Sequence, residues 1–184
     1  MLAVAEREQL PVAEARAGQP EAWDALFRRY QLPLYAYVFE LVRAEQPSLD
    51  IVQETFIAAV RHIGSLRDDD RLGSWLFGIA HQKCVQHWRK SGREEPLDAE
   101  SIERLAGTDD DPRELLIREE QEAEFMQALN QLPAPQRAVL LLHFIEDFPL
   151  DEIARITGAS LGTVKSRIHY AKRALKRLIR QTES

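Results

Sequence analysis

The chain has 184 residues and a formal net charge of −6. Hydrophobic residues make up 45% of it, enough to support a packed core and to exclude a disordered chain. A single cysteine, Cys84, rules out an internal disulfide and fits a reducing compartment, and no run approaches the ~20 apolar residues of a membrane-spanning helix.

The opening MLAVAEREQLPVAEA breaks its apolar run at Glu6 and lacks the basic-then-apolar order of a signal peptide. The expectation is a cytoplasmic protein with no membrane insertion. From there on, apolar residues recur at helical spacing and no clear alternating strand is present, so the expected fold class is all-α. Trp23, Leu26, Phe27, Tyr30, Leu34, Tyr37, Val38 and Leu41 form one long stripe. Pro33 interrupts it and predicts a bend. Ser48 is placed to cap a second helix, with Leu49, Val52, Phe56, Ala59 and Ile63 facing inward and Gly64 ending it.

After the polar loop SLRDDDR, a third helix is expected over about 72–90. On it Leu76, Ala80, Cys84 and Trp88 share an i, i+4 row, which favours a core role for Trp88. A neighbouring face begins as Leu72, Trp75 and Ile79 and continues as Gln82, Lys83, Gln86, Arg89 and Lys90. Such a change, from flat apolar groups to amides and cations, suits single-stranded nucleic acid. His81, Cys84 and His87 stand at i, i+3, i+6. They spread over about 120° of the helix, too wide for one metal ion without further ligands, so no metal and no cofactor is expected.

Residues 91–112 carry Gly92, Pro96, Gly107, the run Asp109–Asp111 and Pro112, the composition of a flexible linker. It is acidic: from Glu94 to Glu124 only Arg104, Arg113 and Arg118 oppose the carboxylates. A weak helix is expected at about 101–105, and helices resume near Glu114 and run to about Leu132. "LPAPQ" breaks the chain, and Pro135 is placed to open another helix through Phe144.

The segment LDEIARITGASLGTVKSRIHYAKRALKRLI, Leu150 to Ile179, has the spacing of a helix-turn-helix. Ala154 is the small residue where two helices touch, Gly158 takes the positive φ of the turn, and Val164, Ile153 and Ile168 form the small core. Ser160 or Thr163 is placed to cap the second helix, whose buried face is expected to be Val164, Ile168, Ala171, Leu175 and Leu178. Between Thr157 and Gln181 there is no acidic residue, while Lys165, Arg167, Lys172, Arg173, Lys176, Arg177 and Arg180 are all present. Opposite charge on different parts of one chain points to separate surfaces with separate partners. In a helix-turn-helix the start of the second helix faces base edges in the major groove. Ser160, Leu161, Thr163, Lys165, Ser166 and Arg167 are the candidates, with His169, Arg173 and the later cations toward phosphates.

The Leu150–Ile179 segment resembles region 4.2 of the extracytoplasmic-function (ECF) sigma factors, short members of the sigma-70 family, and LPAPQRAVLLLHFIEDFPL resembles the stretch before it. The first half is similar too: ALFRRYQLPLYAYVFELV resembles region 2.1, SLDIVQETFIAAV region 2.2, and LGSWLFGIAHQKCVQHWRK regions 2.3 and 2.4. The resemblance implies two small helical domains joined by an acidic flexible linker: an N-terminal extension over 1–17, a region 2 domain over 18–92, the linker over 93–113, and a region 4 domain over 114–184. It implies that the chain is not an enzyme and that it directs core RNA polymerase to promoters. Asp50, Val52, Gln53, Glu54, Phe56 and Ile57 would dock on the clamp coiled coil of the largest polymerase subunit, with Ile51, Val52, Phe56 and Ile57 divided between dock and core. Arg67, Arg71, Trp75, Gln82, Lys83, Gln86, Arg89 and Lys90 would capture and melt the −10 element. The helix-turn-helix residues named above would read the −35 element. An anti-sigma factor is an expected partner.

The family often carries Arg-Asn where this chain has His81-Gln82, and Asp where it has Gln86, so no promoter consensus carries over. Two other readings accompany this one. A conventional helix-turn-helix regulator would use the N-terminal half for sensing or dimerisation, and a metal or redox sensor would use Cys84 with His81 and His87.

Overall fold

The computed structural model describes residues 10–92 and 119–182, with side chains described for 10–92 and 125–179. The expected linker, the weak helix at 101–105 and the first residues of the following helix lie outside the described residues. Every element within them is helical.

The first half has four helices: α1 (Val12–Arg16), α2 (Pro20–Val42), α3 (Glu45–His62) and α4 (Leu72–Lys90). Pro20 opens α2 at a position where the missing N–H costs nothing. The helix then runs on through Pro33, because Leu34, Tyr37, Val38 and Leu41 on the next turns are all buried. Burial of that stripe, worth roughly 1.5–3 kcal/mol per large side chain, outweighs one lost backbone bond. Arg43 ends α2 in a left-handed conformation, φ 58°, with its guanidinium held by the carbonyl and carboxylate of Glu40.

The second helix starts earlier than expected. Ala44, not Ser48, precedes its first turn. Ser48 lies inside α3 and is fully buried; its hydroxyl donates to the Ala44 carbonyl at 2.7 Å, as Thr55 does to Ile51. Both hydroxyls satisfy themselves on their own helix, which lets polar residues occupy an inward face. The inward set is accordingly Ile51, Val52, Thr55, Phe56 and Ala59, while Leu49 points out. Phe27, expected in the α2 stripe, is also exposed.

A turn at Ile63–Ser65 and a second at Asp69–Arg71 lead into α4. The Asp68 carboxylate accepts from the Asp70 N–H at 3.1 Å, and Arg16 of α1 reaches over to Asp69 and the Leu66 carbonyl. The Trp23 indole N–H donates to the Ala15 carbonyl at 3.0 Å, fixing α1 on α2.

The second half has α5 (Glu119–Asn130), α6 (Ala134–Leu140), α7 (Leu150–Thr157) and α8 (Leu161–Thr182). The helix expected to run through Phe144 loosens instead: Leu141–Ile145 is a π-turn. Asp147, at φ 55°, then turns the chain, and Phe148 is held by its N–H to Leu142 and by its carbonyl near His143 Nδ1. At the helix-turn-helix Gly158 has φ 68°. Ile153, Val164, Ala171 and Leu175 are buried with Ile168, and Leu178 is half-buried. The Ser160 hydroxyl caps α8 by accepting from the Thr163 N–H at 3.1 Å.

The two halves pack together, α4 against α7 and α2 against α6. Phe148 meets Phe77 edge-on with ring centroids 5.2 Å apart. Gly78 lets α4 approach the backbone of α7 at Ile156.

Candidate polymerase and nucleic-acid interfaces

Three surfaces follow from this packing. The first lies on α3 beside the start of α2. Leu49, Gln53, Ile57 and Val60 are exposed and recur at spacings of four, four and three, which aligns them as one stripe. Phe27, from α2, is also exposed and is tilted against Phe56 at 4.8 Å between ring centroids. Single exposed apolar residues are ordinary, but an aligned set marks a contact surface. Asp50 and Glu54 are exposed along the same helix, and Gln46 donates to Asp50 at 3.0 Å.

Among the apolar residues expected to divide between dock and core, Val52 and Phe56 lie in the core, 7% and 8% exposed, together with Ile51. Ile57 is on the outside, 44% exposed. Leu49, expected to face inward, is on the surface instead, and Val60 is a surface member that the sequence pattern did not single out. A helix of this width needs one face for its core, and the choice between two adjacent apolar rows was not readable from periodicity alone.

The second surface is the polar end of α4 and the loop before it. Gln82, Gln86, Arg89 and Lys90 are exposed, as are Arg67 and Arg71 in the loop. Arg71 bonds Asp68 at 3.1 Å. Trp75 is half-buried against the core, while Trp88 is within it at 4% exposure. Lys83 is half-buried and donates to the Glu54 carboxylate at 3.0 Å. The first two surfaces therefore share an edge.

Beneath this face His81 and Cys84 are buried. Tyr37 Oη lies 2.8 Å from His81 Nδ1. Burial, helped by the nearby Arg167 charge, lowers the His81 imidazole from its ordinary 6.5 to about 4 and keeps it neutral. Burial pushes the Cys84 thiol up to about 12, so it sits as a small uncharged core group. His87 is half-buried and one turn further along.

The third surface belongs to α8. Leu161, Lys165, Ser166 and Arg173 are exposed, and Ser160 with them. Thr163, Arg167 and His169 are half-buried. The Thr163 hydroxyl lies 2.8 Å from Ser160 Oγ, and Ser166 donates to Gly162 at 3.0 Å, so the first turn is ordered from within. Lys172, expected on the open basic face, lies over the Phe144 ring at 5.5 Å.

Comparison with known proteins shows the family. The family model "Sigma-70 region 2" matches residues 26–94, and "Sigma-70, region 4" matches residues 122–175. The chain belongs to the sigma-70 family, in its extracytoplasmic-function branch, and is an alternative RNA polymerase sigma factor. It is 31% identical to the RNA polymerase sigma-H factor of Pseudomonas aeruginosa over 95% of this chain and 94% of the relative. It is 29% identical to the ECF RNA polymerase sigma-E factor of Salmonella typhimurium, over 91% of this chain and 92% of that one. Among solved structures, the sigma factor RpoE of Bartonella quintana, determined with the anti-sigma factor NepR, superimposes with a TM-score of 0.62 at 28% identity, covering 84% of this chain and 96% of that one. The region 2 match falls on the half where a conventional helix-turn-helix regulator would differ.

Proposed function

We propose that residues 18–92 form the domain that grips core polymerase and opens the −10 element, and residues 114–184 the domain that reads duplex at −35. Residues 93–113 connect them, and residues 1–17 are an extension. The carrying observation is the exposed stripe Leu49–Gln53–Ile57–Val60 on α3, sharing an edge with the polar end of α4 through the Glu54–Lys83 pair. Apolar side chains flanking exposed polar ones make a directional, partly hydrophobic contact. An adjoining row of amides and cations next to a half-buried tryptophan matches what an unpaired strand requires. On this reading Asp50, Gln53, Glu54 and Ile57 meet the clamp coiled coil of the largest polymerase subunit. Gln82, Gln86, Arg89 and Lys90, with Trp75, Arg67 and Arg71, meet the −10 strand, and Lys83 joins them by exchanging Glu54 for phosphate. Val52 and Phe56 hold α3 in position from beneath.

At −35 the first turn of α8 meets base edges through Ser160, Leu161, Thr163, Lys165, Ser166 and Arg167, and Arg173 with His169 meets phosphate. The nucleotide chemistry is polymerase's, and this chain is not an enzyme. The chain works in the cytoplasm; among the described residues no helix is long and apolar enough to cross a membrane. The RpoE structure contains an anti-sigma factor, which supports a partner of that class here.

The test is transcription in vitro with purified core polymerase and a promoter library. Discrete start sites that require both this chain and Gln53–Glu54 are expected. Absence of any chain-dependent transcript, with the chain stably bound or not, contradicts the proposal.

A further inference from the structure

The loop before α4 is held by a residue from outside the family match. α1 precedes residues 26–94, which match the region 2 model. It is fixed nonetheless. Val12 and Ala15 are buried, and α1 packs on α2 and on the turn at Ile63–Ser65. The Ala15 carbonyl accepts from both the Trp23 indole and the Gly18 N–H at 3.0 Å. From the last position of α1, Arg16 extends one guanidinium nitrogen to two acceptors, the Leu66 carbonyl at 3.3 Å and the Asp69 carboxylate. They lie 50 and 53 residues further along the chain and bracket Arg67 and Asp68.

The bracket closes on a loop that is also stiffened from within. The Asp68 carboxylate accepts from the Asp70 N–H and from Arg71, both at 3.1 Å. Leu66 is buried, and its N–H donates to the Ile63 carbonyl at 3.1 Å. Arg67 stands between these anchored neighbours. It is exposed, and among the described residues its side chain makes no hydrogen bond or ion pair. A loop that takes hold of a strand loses backbone and side-chain freedom, and a loop held in shape beforehand loses less. The Arg16 and Asp69 side chains are 36% and 47% exposed, and an ion pair in such a setting adds little to folding. Its effect is on where the loop sits.

We propose that Arg16 is a positioning residue for the −10 contact: from α1 it holds residues 66–69 in place and so presents Arg67 to the unpaired strand. This rests on the reading of the loop as part of the −10 surface. The extension over 1–17 thereby gains a role in promoter opening, although it lies outside the region 2 match. Arg16 itself touches no DNA; it acts through Arg67.

The test uses the full chain on core polymerase and single-stranded oligonucleotides carrying the −10 element of a promoter selected with that holoenzyme. Arg16→Ala is expected to keep the core affinity and the melting temperature of the wild type. It should weaken strand binding about fivefold, the cost of immobilising one long side chain at the moment of binding. Arg16→Lys keeps a donor for both acceptors and should recover most of that loss. Arg67→Ala should weaken strand binding as well, and Arg16→Ala/Arg67→Ala should bind no more weakly than Arg67→Ala alone, because one residue acts through the other. Unchanged strand binding in Arg16→Ala, no recovery with lysine, or losses that multiply in the double variant overturns the proposal. So does a lowered melting temperature in Arg16→Ala, since the pair then serves the fold. If Arg67→Ala binds the strand as the wild type does, the reading of the loop as a −10 contact fails instead, and the two failures are separable.

Discussion

Lys83 of α4 donates to the carboxylate of Glu54 on α3 at 3.0 Å, joining the proposed polymerase face to the proposed −10 face across 29 residues of chain. Glu54 is 62% exposed, so the pair contributes at most about 1 kcal/mol to stability. Its value lies in position. Both side chains stand at the shared edge of two surfaces, and either is free to exchange its partner for a better one.

Replacing Gln53 and Glu54 by alanine removes polar contacts without touching the core. Core polymerase affinity is expected to fall by at least about tenfold, about 1.4 kcal/mol, with the melting temperature unchanged. Ile57→Ser is expected to act in the same direction, whereas Phe56→Ala should lower the melting temperature as well, by about 3–5 kcal/mol of stability. Competition binding to core polymerase, paired with thermal melts, separates the two classes.

In the C-terminal half, Lys165→Ala should relax sequence preference at its base pair and cost about 1–3 kcal/mol. Arg173→Ala should weaken binding evenly across sequences and reduce the salt slope by about one. Holoenzyme binding to promoter variants at several salt concentrations distinguishes these outcomes.

Gly158 sits at φ 68° between α7 and α8. A Cβ there meets nothing within 4 Å, so Gly158→Ala carries only the left-handed penalty, about 1–2 kcal/mol. Urea unfolding should show that loss with little change in slope.

The pH dependence of stability follows from His81. Its folded imidazole is lowered to about 4 against an ordinary 6.5, by burial first and by Arg167 second. The unfolded chain takes up a proton below about 6.5 and the native site does not until about 4. This stability is therefore fully present above pH 6.5 and is lost as pH falls toward 4, by up to about 3 kcal/mol. His81→Gln keeps a hydrogen-bonding group for Tyr37 and should flatten urea-derived stability between those values.

Cys84 carries a thiol pushed up to about 12 by burial. In the native state it should resist alkylation at pH 8 and react only on unfolding. Cys84→Ala should cost about 1 kcal/mol and leave transcription unchanged by oxidant. Rapid labelling of the folded chain contradicts this placement and would revive a redox role.

Much of the layout is legible in the amino-acid sequence. The bounds of α4 and the whole helix-turn-helix core, from Ile153 through Gly158 to Leu175, follow from spacing, because one strongly amphipathic register leaves a single way to bury it. Legibility was lower in α3. Ser48 resembled a cap but hides its hydroxyl on its own helix, and Leu49 and Val52 were indistinguishable until one row had found a core. Phe148 was unreadable in a different way. It follows a π-turn and a left-handed Asp147, has no helical register, and meets Phe77 from the other half of the chain. Contacts between halves leave no local periodicity, so the glycines that admit them carry no visible pattern either.

The most direct test of the account is transcription by core polymerase on a promoter library, with the wild-type chain and with the Gln53→Ala/Glu54→Ala variant side by side. The account predicts discrete promoter-specific transcripts with the wild type and none with the variant. Equal transcription by both, or none by either, would contradict it.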